Sequence, residues 1–190
     1  MFIRRTPQKT LKWLKEFCYP DMGYIRTLKY MYHRIVRLSD GTTRIAAGLA
    51  IGSAVSFSPL VGTHFLQALG LAWLVRANYL AAMIGTFLGN PWTFPFLWLT
   101  GYYVGSSVFG AFGVTDFAEL PDNLTIYQMI DLFWAEPLTL FLPWMLGGYI
   151  CAIMFAPLSF LVSYYIVNTT KKARRRRRIK KLRKKLAPRT

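Results

Sequence analysis

Two short proline-containing segments carry most of the side chains that could bind a ligand. They interrupt long uncharged stretches of the chain at residues 57–64 and 89–95. A break of this kind leaves backbone N–H groups unpaired where the next helix begins, and such groups bind phosphates and carboxylates. The alternative is that the polar side chains only satisfy backbone exposed by the breaks. The predicted ligand or translocation site consists of Ser58, Pro59, Thr63, His64, Asn90, Pro91 and Thr93.

His64 is a separate candidate because of its chemistry. A histidine inside an apolar segment is a functional candidate by default and could bind or relay a proton. The alternative is a neutral ring bonded to a neighbouring hydroxyl or carbonyl group. Arg76, the one basic residue between Arg44 and Lys171, is interpreted as an interfacial anchor rather than a ligand contact.

The sequence lacks the side-chain arrangements that enzymes use. It contains no Asp or Glu between Gly41 and Thr115, so a carboxylate-based proton or sodium relay is not expected. It also contains no Ser/His/Asp arrangement at the breaks, no cluster of metal ligands and no GxxxxGK phosphate loop. We therefore predict neither catalysis nor a cofactor nor a metal site.

The elements that position the breaks follow from the distribution of charge. Ten of the 24 Lys and Arg residues lie between Arg4 and Arg44, and thirteen lie between Lys171 and Arg189. Basic flanks stay in the cytoplasm, so both termini are predicted to be cytoplasmic. Residues 114–136 contain no base and are predicted to form an external loop.

Three charge-free runs are long enough to span a membrane, at 45–75, 77–115 and 137–170. The limbs of the first run give only about 20 Å and about 16 Å of helix, against a hydrocarbon core of roughly 30 Å. We therefore expect 45–75 to form a re-entrant hairpin, with a single tilted and kinked helix as the alternative. With both termini cytoplasmic, the broken helix 79–113 crosses once and the transmembrane helix 138–167 returns.

The predicted fold is therefore an all-α integral membrane protein in three parts. A basic amphipathic leader at 1–40 forms cytoplasmic or interfacial helices, over 9–18 and 24–38, and precedes a membrane domain at 41–170. A polybasic cytoplasmic tail at 171–190 is expected to be disordered, or helical only when docked, because its charges repel one another. Anionic lipid is its predicted contact, and nucleic acid is not expected because no aromatic residue interrupts the run. The bases assigned to lipid contact are Arg174, Arg175, Arg176, Arg177 and Arg178.

A weak internal repeat links the two breaks. Ile51-Gly52-Ser53 recurs as Ile84-Gly85-Thr86, and a proline follows each copy. Small residues let helix backbones approach closely, so two related half-helices would bring the breaks near each other. Coincidence is the alternative, because few positions match.

Several of these motifs resemble one bacterial membrane family, catalogued as domain of unknown function 2062. The resemblance covers roughly residues 30–165 and rests on Ile45–Gly62, Arg76-x-Asn78, Gly85-Thr86 and Asn90-Pro91-x-Thr93-x-x-Phe96. It implies a bacterial inner-membrane protein and brings no settled activity. The broken helices are also similar to those of the DedA-type families, which are associated with lipid carrier movement, but that likeness is architectural only.

Two functional hypotheses follow. In the first, the paired breaks bind or translocate a small anion or a lipid headgroup. Because one chain offers few helices to enclose a translocation path, this hypothesis predicts a homo-oligomer. In the second, the protein is a non-transport scaffold whose basic segments recruit a partner or anionic lipid. An insertase-like role rests on the tail alone and ranks last.

Overall fold

The computed structural model describes residues 24–60, 62–114, 131, 134–135 and 137–186. Regular structure within these residues is entirely helical, so the predicted all-helical class is confirmed. The expected helix at 9–18 and nearly all of the expected external loop lie outside the described residues. The helices are α1 (Tyr24–Val36), α2 (Thr42–Val55), α3 (His64–Leu74), α4 (Tyr79–Gly85), a 3-10 turn (Thr86–Leu88), α5 (Phe94–Ala111) and α6 (Pro137–Leu186).

Helix α1 belongs to a compact unit of its own, Met1–Leu38, and the other helices belong to the unit Ser39–Thr190. The exposed residues of α1 include the bases Arg26, Lys29 and Arg34, while Met31 and Ile35 are half-buried. The Arg34 guanidinium lies 3.4 Å from the Tyr30 hydroxyl one turn away. The pattern is that of a basic amphipathic helix.

The run 45–75 folds as two helices, α2 and α3, that pack against each other. The outer ends of the two helices meet, because Arg44 Nε donates to the Arg76 carbonyl oxygen at 2.8 Å. The Asn78 amide likewise donates to the Arg44 carbonyl oxygen at 3.0 Å. The start of α2 and the end of α3 therefore lie next to each other.

Helices α2 and α4 approach each other at backbone distance through the glycines of the internal repeat. A Cβ atom added to Gly52 would overlap the Ala82 carbonyl oxygen, and one added to Gly85 would lie 2.5 Å from the Leu49 carbonyl oxygen. No larger side chain fits at either position. A buried cluster of alanines from α3, α4 and the turn between them packs against Ala47 and Ile51 of α2; it consists of Ala68, Ala72, Ala77 and Ala82.

Helices α5 and α6 are joined in the same way. Gly105 faces the Pro143 carbonyl oxygen, and Gly147 faces the Gly101 carbonyl oxygen, so closely that an added Cβ would overlap either oxygen. Helix α6 then passes α2, where the Ser53 and Ser159 hydroxyls are 2.7 Å apart. Phe57, Ala54 and Ala152 form a small buried cluster beside that bond.

Helix α6 is a continuous helix of 50 residues that contains Pro143 and Pro157. Of the described helices, it is the one that is long and apolar enough to cross a membrane, over Pro137–Lys180. The helix continues through the basic segment to Leu186, where we expected a tail that is disordered unless docked. Arginine and lysine are good helix formers, and extending an existing helix avoids the cost of nucleation.

The glycine contact between α5 and α6 yields a direct stability test. Gly105→Ala is expected to lower the free energy of unfolding by about 3 kcal/mol, because the new methyl group meets backbone that cannot move aside. Gly110→Ala in the same helix is the matched control, since nothing lies within 4 Å of its added Cβ. Thermal unfolding of both purified variants measures the difference. Equal midpoints would contradict the close contact.

Candidate functional site

A small hydrogen-bond cluster closes the first break. Ser58 is fully buried, and its carbonyl oxygen lies 3.0 Å from His64 Nε2. Because a carbonyl oxygen only accepts, Nε2 is the donor in this bond. The Ser58 hydroxyl accepts hydrogen bonds from the Leu60 amide and from Gln67 Nε2, each at 3.3 Å. The His64 side chain, 9% exposed, therefore holds the break together from within.

Gln67 is the functional candidate that sequence reasoning missed. Its Nε2 also donates to Thr63 Oγ1 at 2.7 Å, and its Oε1 accepts from the Tyr149 hydroxyl of α6 at 3.5 Å. The sequence did contain an indication of this role, because Gln67 lies three residues after His64 and this spacing places both side chains on one side of a helix. Thr63 itself is exposed and donates to the Leu60 carbonyl oxygen.

The second break is closed by reciprocal bonds between Asn90 and Thr93. Asn90 Oδ1 accepts from the amides of Trp92 and Thr93, at 2.9 and 3.1 Å. Thr93 Oγ1 accepts from the Asn90 amide at 3.0 Å and donates to the Leu88 carbonyl oxygen. Pro91 is exposed between them, and α5 begins at the next residue, Phe94. These side chains satisfy the backbone that the break exposes.

The two breaks are in contact. The Ser56 hydroxyl accepts a hydrogen bond from the Gly89 amide at 3.0 Å. The His64 ring stacks on Phe94, with centroids 5.5 Å apart, and Phe94 stacks on Trp98 at 5.0 Å. Pro59 is buried beside Gly148 of α6. The predicted residues of both breaks therefore lie close together. Their own side chains occupy the space between the breaks.

A second polar region lies at the other end of α2 and α3, and it is centred on Asp40. Asp40 Oδ1 lies 3.4 Å from Arg44 Nη1, and Oδ2 accepts from Asn78 Nδ2 at 2.5 Å. Lys171 of α6 donates to the Asp40 carbonyl oxygen. One acidic residue therefore ties together the start of α2, the start of α4 and the basic part of α6. We call this region the basic end.

An open cavity of about 740 Å³ lies at the basic end. Arg76 has φ = 55°, a left-handed conformation that is uncommon for residues other than glycine. The sequence analysis interpreted Arg76 as an interfacial anchor and did not single out Arg44, Trp73 or Tyr79. The cavity is lined by Arg44, Trp73, Leu74, Val75, Arg76 and Tyr79.

The bases Arg174–Arg178, assigned from the sequence to lipid contact, are exposed on α6 just beyond Lys171. Along the helix, Arg174 is about 39 Å from Gly148, the residue of α6 that touches the first break. The structure therefore separates the predicted site residues into two groups, one at the breaks and one near the basic end.

Comparison with known proteins is consistent with these motifs. The model of the family "Uncharacterized protein conserved in bacteria (DUF2062)" matches residues 25–177. The chain belongs to this family. The match includes both breaks and the cavity, and it extends farther into the basic part of α6 than the expected limit near residue 165. No curated protein and no solved structure matches significantly, so the DedA-type likeness stays an expectation.

The bonds at the second break predict the effect of removing one hydroxyl. Thr93→Val keeps the shape of the side chain but leaves the Leu88 carbonyl oxygen and the Asn90 amide without this partner. We expect the free energy of unfolding to fall by about 1–2 kcal/mol. Thr93→Ser, which keeps the hydroxyl, is the control and should lose less. Unfolding midpoints that rank the other way would rule out a closing role for Thr93.

Proposed function

We propose that this DUF2062 protein is an integral membrane protein that binds anionic lipid headgroups at its basic end. One observation carries the proposal: the exposed apolar surface of the helices ends at a group of exposed arginines and aromatic residues. The lipid-recruiting form of the scaffold hypothesis is the one that this geometry supports.

The apolar surface supports a membrane setting. Leu66 and Leu74 of α3 are 74% and 70% exposed, Phe96 of α5 is 73% exposed, and Met154 of α6 is 74% exposed. Soluble monomers rarely expose large contiguous apolar patches. Helix contacts through glycine are also typical of membrane proteins, where packing replaces the hydrophobic effect between helices. The hydrogen bonds that close the two breaks suit an environment without water.

The positions of the charges support an orientation. Arg44, Arg76 and Lys171 lie together at the basic end, so this end is proposed to face the cytoplasm. Helices α2 and α3 both have their outer ends there, which fits a re-entrant hairpin. From Pro137 to Lys171, α6 is about 51 Å long, more than enough to cross a hydrocarbon core of about 30 Å.

The basic part of α6 would add electrostatic attraction. Arg174–Arg178 lie within about 10 Å of Lys171 along the helix axis, which is about one Debye length at an ionic strength of roughly 0.1 M. Each base near an anionic surface contributes about 1 kcal/mol of attraction. The bases farther along α6, from Lys180 onwards, would lie beyond that range if the helix continues straight out of the bilayer.

Two charge-deletion variants test this. Changing Arg174–Arg178 to Gln removes five bases next to the proposed headgroup layer, and changing Lys180, Lys181, Arg183, Lys184 and Lys185 to Gln removes five more distant ones. In nanodiscs, replacing phosphatidylcholine with phosphatidylglycerol should raise the unfolding midpoint of the unsubstituted protein. The first variant should lose most of that rise and the second should keep most of it. Equal losses would mean that distance from Lys171 does not matter.

Translocation at the paired breaks is the second candidate function. The observation that favours it is the polar cluster of Ser58, His64 and Gln67, which lies among apolar helices and contacts Tyr149 of α6. A polar cluster at membrane depth marks a potential pathway. In this version the cluster would open to water, and assembly into a homo-oligomer would enclose the path.

Cysteine labelling separates the two candidates. With Cys18 and Cys151 replaced, single cysteines are introduced by Thr63→Cys and Trp92→Cys, both at exposed positions. Gly62, which also lies in the first break, is not used as a labelling position because its φ of 85° favours glycine over cysteine. If the protein binds lipid and the breaks stay closed, neither cysteine should react with an impermeant thiol reagent added to the cytoplasmic side, which is accessible in inverted vesicles. Labelling of both cysteines there would support translocation instead.

A further inference from the structure

We propose that the cavity between Arg44 and Arg76 is a specific site for one phosphate group of a lipid headgroup. This inference rests on the proposed function and names the place where the headgroup binds. It differs from general electrostatic attraction because it requires two particular guanidinium groups that line one cavity.

The first of these groups is already held in position by the protein. The Nε of Arg44 donates to the Arg76 carbonyl oxygen at 2.8 Å, and its Nη1 lies 3.4 Å from Asp40 Oδ1. A guanidinium carries five N–H donors, so these bonds leave others for a ligand. The Arg44 side chain is 55% exposed, so the remaining donors are accessible. Its orientation is thus largely set before anything binds, which lowers the entropy cost of binding.

The second group, Arg76, occupies an unusual backbone position. Its positive φ is a conformation that glycine or asparagine adopts more easily, and keeping another residue there costs free energy. The conformation directs the Arg76 carbonyl oxygen to Arg44, yet glycine would serve that purpose with less strain. Within the described part of the chain, the Arg76 guanidinium forms no hydrogen bond or ion pair. A use for this side chain as a ligand contact explains why arginine occupies the position.

The charges around the cavity favour an anion. Lys171 also belongs to the basic end. Among the described residues, Asp40 is the one carboxylate found there, and it is already engaged by Arg44 and Asn78. Phosphate is the anion whose oxygens best match two guanidinium groups, because each can donate two parallel hydrogen bonds to it. A volume of about 740 Å³ would accommodate a phosphate with the rest of a headgroup.

The neighbouring apolar residues point to a lipid rather than free phosphate as the source of that group. Trp73 is 70% exposed beside the arginines, and tryptophan and tyrosine are enriched at the level of lipid headgroups. Leu66, Gly70 and Leu74 are exposed and recur every four residues, so they lie along one side of α3. An acyl chain attached to a phosphate at the cavity could follow this side of the helix.

The test measures binding of short-chain phosphatidylglycerol to the full-length protein in a neutral detergent by titration calorimetry. Arg76→Asn removes the guanidinium while keeping a residue that tolerates positive φ, and Arg44→Gln removes the other one. Each should weaken binding about tenfold, the effect of losing charge-assisted hydrogen bonds to one arginine. Arg26→Gln, which removes an exposed charge from α1, is the control and should bind as the unsubstituted protein does.

The outcomes distinguish this site from the broader proposal. Tenfold losses confined to the cavity variants, with no competition from inorganic phosphate, support a lipid phosphate site. Competition by inorganic phosphate at similar concentration would overturn the assignment to lipid. Equal losses in all three variants would overturn the specific site but leave general attraction to anionic lipid intact. No binding by the unsubstituted protein would reject both. Unfolding midpoints of each variant, measured in parallel, exclude misfolding as the cause.

Discussion

The structure depends on helices that meet backbone to backbone, with no side chain between them. Gly52 and Gly85 bring α2 against α4, and Gly105 and Gly147 bring α5 against α6. At this distance many weak dispersion contacts between the two helices add up. The same approach sets where the breaks lie, because Ser56 and Gly89 directly follow the α2–α4 contact and bond to each other. The polar region at the breaks is therefore positioned by glycine.

The two polar regions differ in how they use their side chains. At the breaks, the hydroxyl and amide groups bond mostly to backbone atoms a few residues away, so the local chain satisfies itself. At the basic end, all the bonds except the one between Asp40 and Arg44 join residues that are far apart in sequence, and two guanidinium groups still line an open cavity. A region with unused donors is better suited to a ligand than one whose donors are already paired. This contrast moves the favoured site from the breaks to the basic end.

Local sequence signals predicted much of the fold. Uncharged runs, prolines and basic flanks indicate helices and where they end, and Asn90-Pro91-x-Thr93 identified the family. The expected hairpin over 45–75 already implied that Arg44 and Arg76 lie on the same side, but the cavity also depends on the bond between them and on the positive φ of Arg76, which no sequence pattern indicates. Gln67 was missed because its partners include Tyr149 of a distant helix. The helical basic segment was missed because charge repulsion was weighed without the long helix that precedes it.

The place of α6 in the chain has a consequence for the order of assembly. Helices α2, α3 and α4 contact one another over short sequence separations, so they can pack as soon as they are synthesised. Helix α6 makes the most extensive contacts with α5 and with α2, and it is the last described helix to be made. Until it arrives, Gly101 and Gly105 have no partner among the described helices, and Ser53 lacks Ser159. These faces of α5 and α2 therefore lack the helix they pack against until α6 has been synthesised.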